Sequence, residues 1–321
     1  AVSNGTKALH LALATLGIKA GDEVLVSTFT NMATFFAVLY TGAKPIPIDV
    51  EEDTWNLNPA LLESKITPKT KAILVVHIYG HPVDMDPVLA VAKKHNLFVI
   101  EDAAEAHGAE YKRKRVGALG DIGCFSFYAN KIITTGEGGM VVTNNKEYAD
   151  RARSLRSLAF GDENKFMHKE VGFNYRMTNL QAALGLSQLK KIKFLINKRR
   201  ELAEFYKKGL ANISGLKLPT EKDYAKNVYW MFHVVLGGFL EGKRKQVMEK
   251  LKEKGIETRE AFIPFNAQEI FLKKGLVEKD SCPVANYVSL NGFYLPTSPN
   301  LKEEELNYVS ETLKEILTNI S

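Results

Sequence analysis

Short apolar runs alternate with stretches of helical period through the first half of the chain. Residues 7–16 repeat their apolar positions at helical spacing, and EVLVS at 23–27 reads as a strand. Residues 32–40 suit a helix, KPIPID at 44–49 is extended, and residues 61–66 predict a short helix. AILVVH at 72–77 and LFVI at 97–100 are apolar without alternation, and residues 86–95 between them are helical in pattern. Strands that are apolar on both faces, separated by helices, predict an α/β fold with a mainly parallel sheet covered on both sides. In such sheets ligands lie beyond the carboxyl ends of the strands.

The pattern changes after the midpoint. Thr178 is placed to cap a long helix over residues 180–211. A strand at 234–236, a helix at 245–254, a proline-containing loop and a helix at 303–317 follow. We divide the chain into a large domain, 1–190, and a linking helix with a small C-terminal α+β domain, 191–321. A length of 321 residues with 45% hydrophobic composition can fill both cores. No apolar run approaches the roughly 18 residues of a membrane span, and the opening AVSNGTKALHLALATLG has no basic leader. That opening also lacks an initiator Met and starts as if in mid-fold, so a preceding segment is expected.

Two cysteines, Cys124 and Cys282, lie far apart in apolar contexts, which argues against a disulfide framework or a zinc site and for a reducing cytoplasm. The net charge of +6 includes clusters at 112–115, 190–193, 198–200 and 243–245. They are dispersed among acids and read as solvated faces, not as a nucleic-acid surface; an anionic small substrate fits the excess equally well.

Several strand ends carry groups capable of chemistry. FSFYANKIITTGEGG at 125–139 sets Lys131 between an aromatic strand and a glycine-rich bend. Glu101 and Asp102 follow LFVI, with Glu105 and His107 close behind. Ser3-Asn4-Gly5-Thr6 leads directly into a helix, where free backbone amides attract an anion. Each feature alone has a plain structural explanation: a surface lysine, a helix cap, a strand serine at Ser126, a hydrogen-bonded structural histidine at His107. GALGDIG at 117–123 lacks dinucleotide-binding spacing and reads as a turn. Together, an amine able to form a Schiff base, a carboxylate able to keep a pyridine nitrogen protonated and a phosphate cradle are what pyridoxal phosphate requires.

SNGTKALHLAL, IEDAAEAHGA, SFYANKIITTGEGGMVVTN and VGFNYRMTNLQAALGLSQL, in that order, resemble the DegT/DnrJ/EryC1/StrS nucleotide-sugar aminotransferases. The resemblance spans nearly the whole chain and implies the three-layer αβα fold of pyridoxal-phosphate-dependent transferases of fold type I. It makes Lys131 the Schiff-base lysine and Asp102 the partner of the pyridine nitrogen. Gly5, Thr6 and Ser126 match phosphate-binding positions, and Asn174 matches an asparagine that reaches the phosphate from the neighbouring subunit. The substrates implied are a nucleotide-linked ketosugar and glutamate, and the assembly implied is a homodimer with shared sites. Glu105 stands where many members carry Gln beside the cofactor's phenolic oxygen, and one branch carries Glu. Members usually have some tens of residues before the SNGT motif.

Two positions depart from the family pattern. Asn31 stands where an aromatic ring usually stacks on the pyridine, leaving Phe29 or Phe35 to compensate. Asn266 stands where the branch with Glu tends to have His near the sugar. The resemblance implies amination at C4 of the ketosugar, and three rival readings remain at this point: a nucleotide-sugar 3-aminotransferase, a sugar dehydratase, in which His replaces the lysine, and a catalytically idle sensor.

Overall fold

The computed structural model describes residues 1–161 and 164–320. Helix α1 (Gly5–Thr15) begins at Asn4, whose side chain accepts the Lys7 amide, and runs to strand β1 (Glu23–Ser27). Helix α2 (Met32–Tyr40), β2 (Lys44–Ile48), β3 (Thr70–Val76), α3 (Met85–His95) and β4 (Phe98–Asp102) complete the alternation. A hairpin of β5 (Glu110–Tyr111) and β6 (Lys114–Arg115) precedes β7 (Ile122–Ser126) and β8 (Gly139–Val142). Among the described residues these strands form a six-stranded sheet in the order β2-β1-β3-β4-β7-β8. It is parallel except at β8, which pairs antiparallel with β7.

Helix α4 (Lys146–Arg156), capped by Asn145, was not foreseen. The long helix expected over 180–211 is two helices, α5 (Asn179–Leu189) and α6 (Ile192–Gly209). Thr178 caps the first as expected and forms a reciprocal capping box with Gln181. The break falls where the Lys191 amide turns to the carbonyl of Gln188, three residues back, and closes the turn. The two pieces also face different surroundings: α5 has no buried residue, whereas α6 buries Ile196, Arg199, Leu202, Ala203 and Tyr206 along one stripe. The short helix expected at 61–66 is a pair of 3₁₀ turns.

A second apolar cluster joins Leu202 and Tyr206 of α6 to strands and helices of the C-terminal part. After β9 (Leu216–Lys217) and β10 (Ala225–Lys226) come β11 (Phe232–Leu236), α7 (Arg244–Glu253) and β12 (Arg259–Glu260). Helices α8 (Glu269–Lys273) and α9 (Pro283–Asn291), strand β13 (Gly292–Leu295) and helix α10 (Glu303–Thr318) close the chain. Strands β12-β13-β11-β9 form a four-stranded antiparallel sheet. No helix among the described residues is long and apolar enough to cross a membrane.

The end of β4 carries two carboxylates that point to opposite faces, as alternation in a strand requires. Glu101, fully buried, accepts the amides of Gly117 (2.6 Å), Leu119 (2.7 Å) and Gly120 (2.7 Å), and its Oε2 lies 3.1 Å from Nε2 of His77. His77 Nδ1 accepts the Val83 amide, so its Nε2 carries the proton that faces Glu101. The expected turn at 117–123 is thus pinned to the sheet by Glu101, which fixes the strand that presents Asp102. Burial pushes the Glu101 pKa up, but His77 and the amides of Gly120 and Gly117 outweigh it and hold the carboxyl below its ordinary value of 4.5. Its stabilisation is therefore complete above about pH 4.5 and is lost as pH falls through the lower folded value. Glu101→Gln is expected to cost about 2–3 kcal/mol at neutral pH. In urea denaturation the gap between wild type and variant should narrow as the solution is acidified; a gap independent of pH would contradict this role.

Candidate active site

Lys131, Asp102 and Glu105 lie together at the carboxyl ends of the central strands. Lys131 Nζ is 3.7 Å from Glu105 Oε1 and 3.7 Å from the centre of the Trp230 ring. The Trp230 indole is held by its own N–H, which donates to the carbonyl of Asn130 (2.8 Å). Burial disfavours the charged form of each ionisable group. It lowers the Lys131 pKa, against the opposing pull of Glu105 and Asp102, and raises Glu105 to about 7, against the pull of Lys131. Asp102 is also raised by burial, partly offset by the Ala104 amide and the Thr34 hydroxyl. A desolvated amine, lowered in pKa, therefore lies beside an acid raised in pKa.

Both carboxylates are held from the backbone. Asp102 Oδ1 accepts the Ala104 amide (3.1 Å), and Oδ2 accepts the Thr34 hydroxyl (2.9 Å), itself 3.0 Å from the Thr30 hydroxyl. Glu105 Oε2 accepts the amide of Tyr79 (2.8 Å). Tyr79 takes φ = 52° to aim that amide, a left-handed conformation costing about 1–2 kcal/mol for a residue with a side chain.

The amino terminus of α1 approaches the same strands. A Cβ placed on Gly5 would stand 2.7 Å from Ser126 Cβ and 3.0 Å from its Oγ, so only glycine allows this approach. Gly5 and Thr6 occupy the first turn of α1, where unpaired amides favour an anion. Ser126 is buried, and its hydroxyl accepts the Tyr128 amide at 3.3 Å. Asn174 is exposed in the segment leading to α5 and is not in contact with Lys131 in the same chain. Asn31 is also exposed, and its side chain caps α2 by accepting the Ala33 amide (3.0 Å). Phe29 and Phe35 are both buried: Phe35 stacks on Phe265 at 3.9 Å, and Phe29 packs edge-on against Tyr79.

Three sequence expectations are corrected here. His107 is structural, but neither ring nitrogen has a hydrogen-bond partner; it packs against Phe125 and Phe127, and burial takes it down to about 3. Asn266 is fully buried and saturated. Its Oδ1 accepts the Thr28 hydroxyl (2.8 Å), and its Nδ2 donates to Lys279 O and Asn286 Oδ1, so it clamps loops together within the chain. The basic cluster at 198–200 is not a solvated face: Lys198 is half-buried and pairs with Glu201, Arg200 pairs with Glu221 at 2.6 Å, and Arg199 is buried. Sequence reasoning also missed Thr34, Tyr79 and Trp230. Thr34 lies within the stretch read for Asn31, but its partner is 68 residues away. A cavity of about 760 Å³ behind Phe125 and Phe127 is lined by none of the eight residues singled out for the site.

A model of the DegT/DnrJ/EryC1/StrS aminotransferase family matches residues 1–314, and the chain belongs to that family. It is an enzyme of the aminotransferase class, with the α/β fold of its pyridoxal-phosphate-dependent structural neighbours. It is 43% identical over 318 residues to the GDP-perosamine synthase of Escherichia coli O157:H7, covering 99% of this chain and 85% of that protein. It is 37% identical over 316 residues to the dTDP-3-amino-3,4,6-trideoxy-alpha-D-glucose transaminase of Streptomyces venezuelae, covering 98% and 81%. Among solved structures, S. venezuelae DesV superposes with a TM-score of 0.94 at 36% identity, covering 100% of this chain and 85% of that one. The PLP form of the sugar aminotransferase Spr1654 from Streptococcus pneumoniae also reaches 0.94, at 26% identity and covering 100% and 87%.

Thr34→Val removes the hydroxyl from Asp102 while nearly keeping the side-chain shape. A loss of about 1–2 kcal/mol in urea denaturation at neutral pH is expected, with a further rise of the Asp102 pKa. An unchanged midpoint would show that Asp102 draws no support from Thr34.

Proposed function

We propose that this enzyme uses pyridoxal phosphate to move an amino group from glutamate to C4 of a nucleotide-linked 4-keto-6-deoxysugar. GDP-4-keto-6-deoxymannose would be the acceptor and GDP-perosamine the product. The observation that carries the reading is the buried contact of Lys131 with Glu105, beside Asp102. The residues fit the cofactor: the close approach of Gly5 to Ser126 sets the first turn of α1 beside the Ser126 hydroxyl, and Asp102 offers a carboxylate on a rigid strand. Pyridoxal phosphate, when bound, supplies an aldehyde and an electron sink for the amino transfer.

The chain's own residues do the rest. Lys131, desolvated and lowered in pKa, would anchor the cofactor and, once released, would carry a proton as base and then acid. Asp102 would hold a proton on the pyridine nitrogen. Glu105, raised to about 7, would share a proton with the phenolic oxygen. Gly5, Thr6 and Ser126 would hold the phosphate. The presence of Lys131 disfavours the sugar dehydratase, and the complete set of Lys131, Asp102 and Ser126 disfavours an idle sensor.

Asn174 completes the phosphate site of a second subunit in a homodimer. Its exposure supports this, as does the apolar surface of α5 that follows it, where Leu180, Leu184, Leu186 and Leu189 are all exposed. Two free, buried cysteines suit the reducing cytoplasm.

Assays with glutamate and GDP-4-keto-6-deoxymannose should yield a 4-amino sugar, with dTDP- and UDP-linked ketosugars turned over more slowly. A preference for a dTDP-linked 3-ketosugar would instead favour the activity named for the 37% identical S. venezuelae relative. Asn174→Ala should weaken cofactor retention about tenfold, as loss of one charge-assisted hydrogen bond does. Full retention by a monomeric variant would contradict shared sites.

A further inference from the structure

A cavity of about 370 Å³ opens beside Lys131, and Arg199, Gln188, Asn130, Thr297 and Ser298 contribute to its walls. It has two cationic side chains, Lys131 and Arg199, and no carboxylate among its lining residues. Arg199 is 8% exposed. Its Nη1 donates to the carbonyls of Trp230 (2.8 Å) and Thr297 (3.1 Å), while its Nε is buried without a partner. No acid offsets the charge among the described residues, and burial alone pulls the guanidinium down to about 10. A buried cation without a counter-ion is costly, and a neutral side chain could brace two carbonyls at lower cost. An anion in the cavity that Arg199 lines would offset that cost through its charge.

The position of that anion is narrow. Arg199 holds the carbonyl of Trp230, and the ring of the same residue lies 3.7 Å from Lys131 Nζ. One residue therefore spans the anion site and the reacting amine. An amino acid carries its carboxylates a few bonds from its nitrogen, so one whose amine meets Lys131 can place a carboxylate in the cavity that Arg199 also lines. The diphosphate of a nucleotide sugar is attached across the ring from C4 and would lie farther off. We infer that Arg199 receives a carboxylate of the acidic amino-acid donor in the cavity it shares with Lys131. The assignment rests on the aminotransfer from glutamate proposed above.

The test titrates the cofactor-loaded enzyme with glutarate, a dicarboxylate with no amine to react, and separately with GDP. Fluorescence of Trp230, one of two tryptophans in the chain, serves as the readout. Arg199→Gln should weaken glutarate binding at least about tenfold and raise the KM for glutamate by a similar factor, with GDP binding unchanged. Ser298→Asp, at an exposed wall position, adds a negative charge without touching the carbonyl contacts of Arg199 and should also weaken glutarate. This second variant keeps the test decisive if Arg199→Gln folds poorly. Unchanged glutarate binding and glutamate KM in both variants, with turnover intact, overturn the inference and leave the aminotransfer reading standing. Loss of GDP binding with glutarate binding retained also overturns it. Loss of glutarate binding in Arg199→Gln, with no turnover of glutamate by the wild type, supports the anion site and overturns the glutamate reading.

Discussion

The active site depends on the burial of three ionisable groups at one point. Lys131, Glu105 and Asp102 are each pushed towards the uncharged form by loss of water; the two carboxylates partly restore the charge of Lys131, and Lys131 partly restores theirs, while Asp102 pushes Glu105 further up. A lysine at the surface would hold its proton at neutral pH and attack nothing. Here burial lowers the amine's pKa and raises that of a carboxyl 3.7 Å away to about 7, which narrows the gap a proton must cross. The surrounding structure keeps that contact in place: the left-handed Tyr79 aims an amide at Glu105, Thr34 steadies Asp102, and Trp230 covers the amine.

The sheet supplies the necessary rigidity. Because side chains alternate along β4, adjacent acids take different tasks. Glu101 ties the 117–120 turn and His77 to the sheet, and Asp102 faces the site. The proposed phosphate cradle is equally a product of packing, since Gly5 allows α1 to come against Ser126. The same constraint makes an uncompensated charge informative. Among these paired groups, Arg199 is a buried cation whose partners are only carbonyls.

Much of this was legible in the chain. The apolar strands, the Thr178 cap, the 117–123 turn and the clustering of Lys131 with Asp102 and Glu105 followed from local patterns or from motifs in a recognisable order. The remainder depends on tertiary contacts that local spacing does not encode. The break after Leu189 has no proline or glycine to announce it. Arg199 lies between Lys198 and Arg200, and only the docking of α6 buries it. Asn266 meets Thr28 across 238 residues, and His107 is surrounded by rings that leave its nitrogens unpaired. Trp230 reaches Asn130 across 100 residues.

The central claim is that one buried amine anchors the cofactor. Borohydride reduction of the purified, pyridoxal-phosphate-loaded enzyme, followed by peptide mapping in a mass spectrometer, tests it directly. The proposed chemistry predicts a single pyridoxyl adduct on Lys131, absent from Lys131→Ala. An adduct on another lysine, or none from protein shown to retain the cofactor, would contradict it.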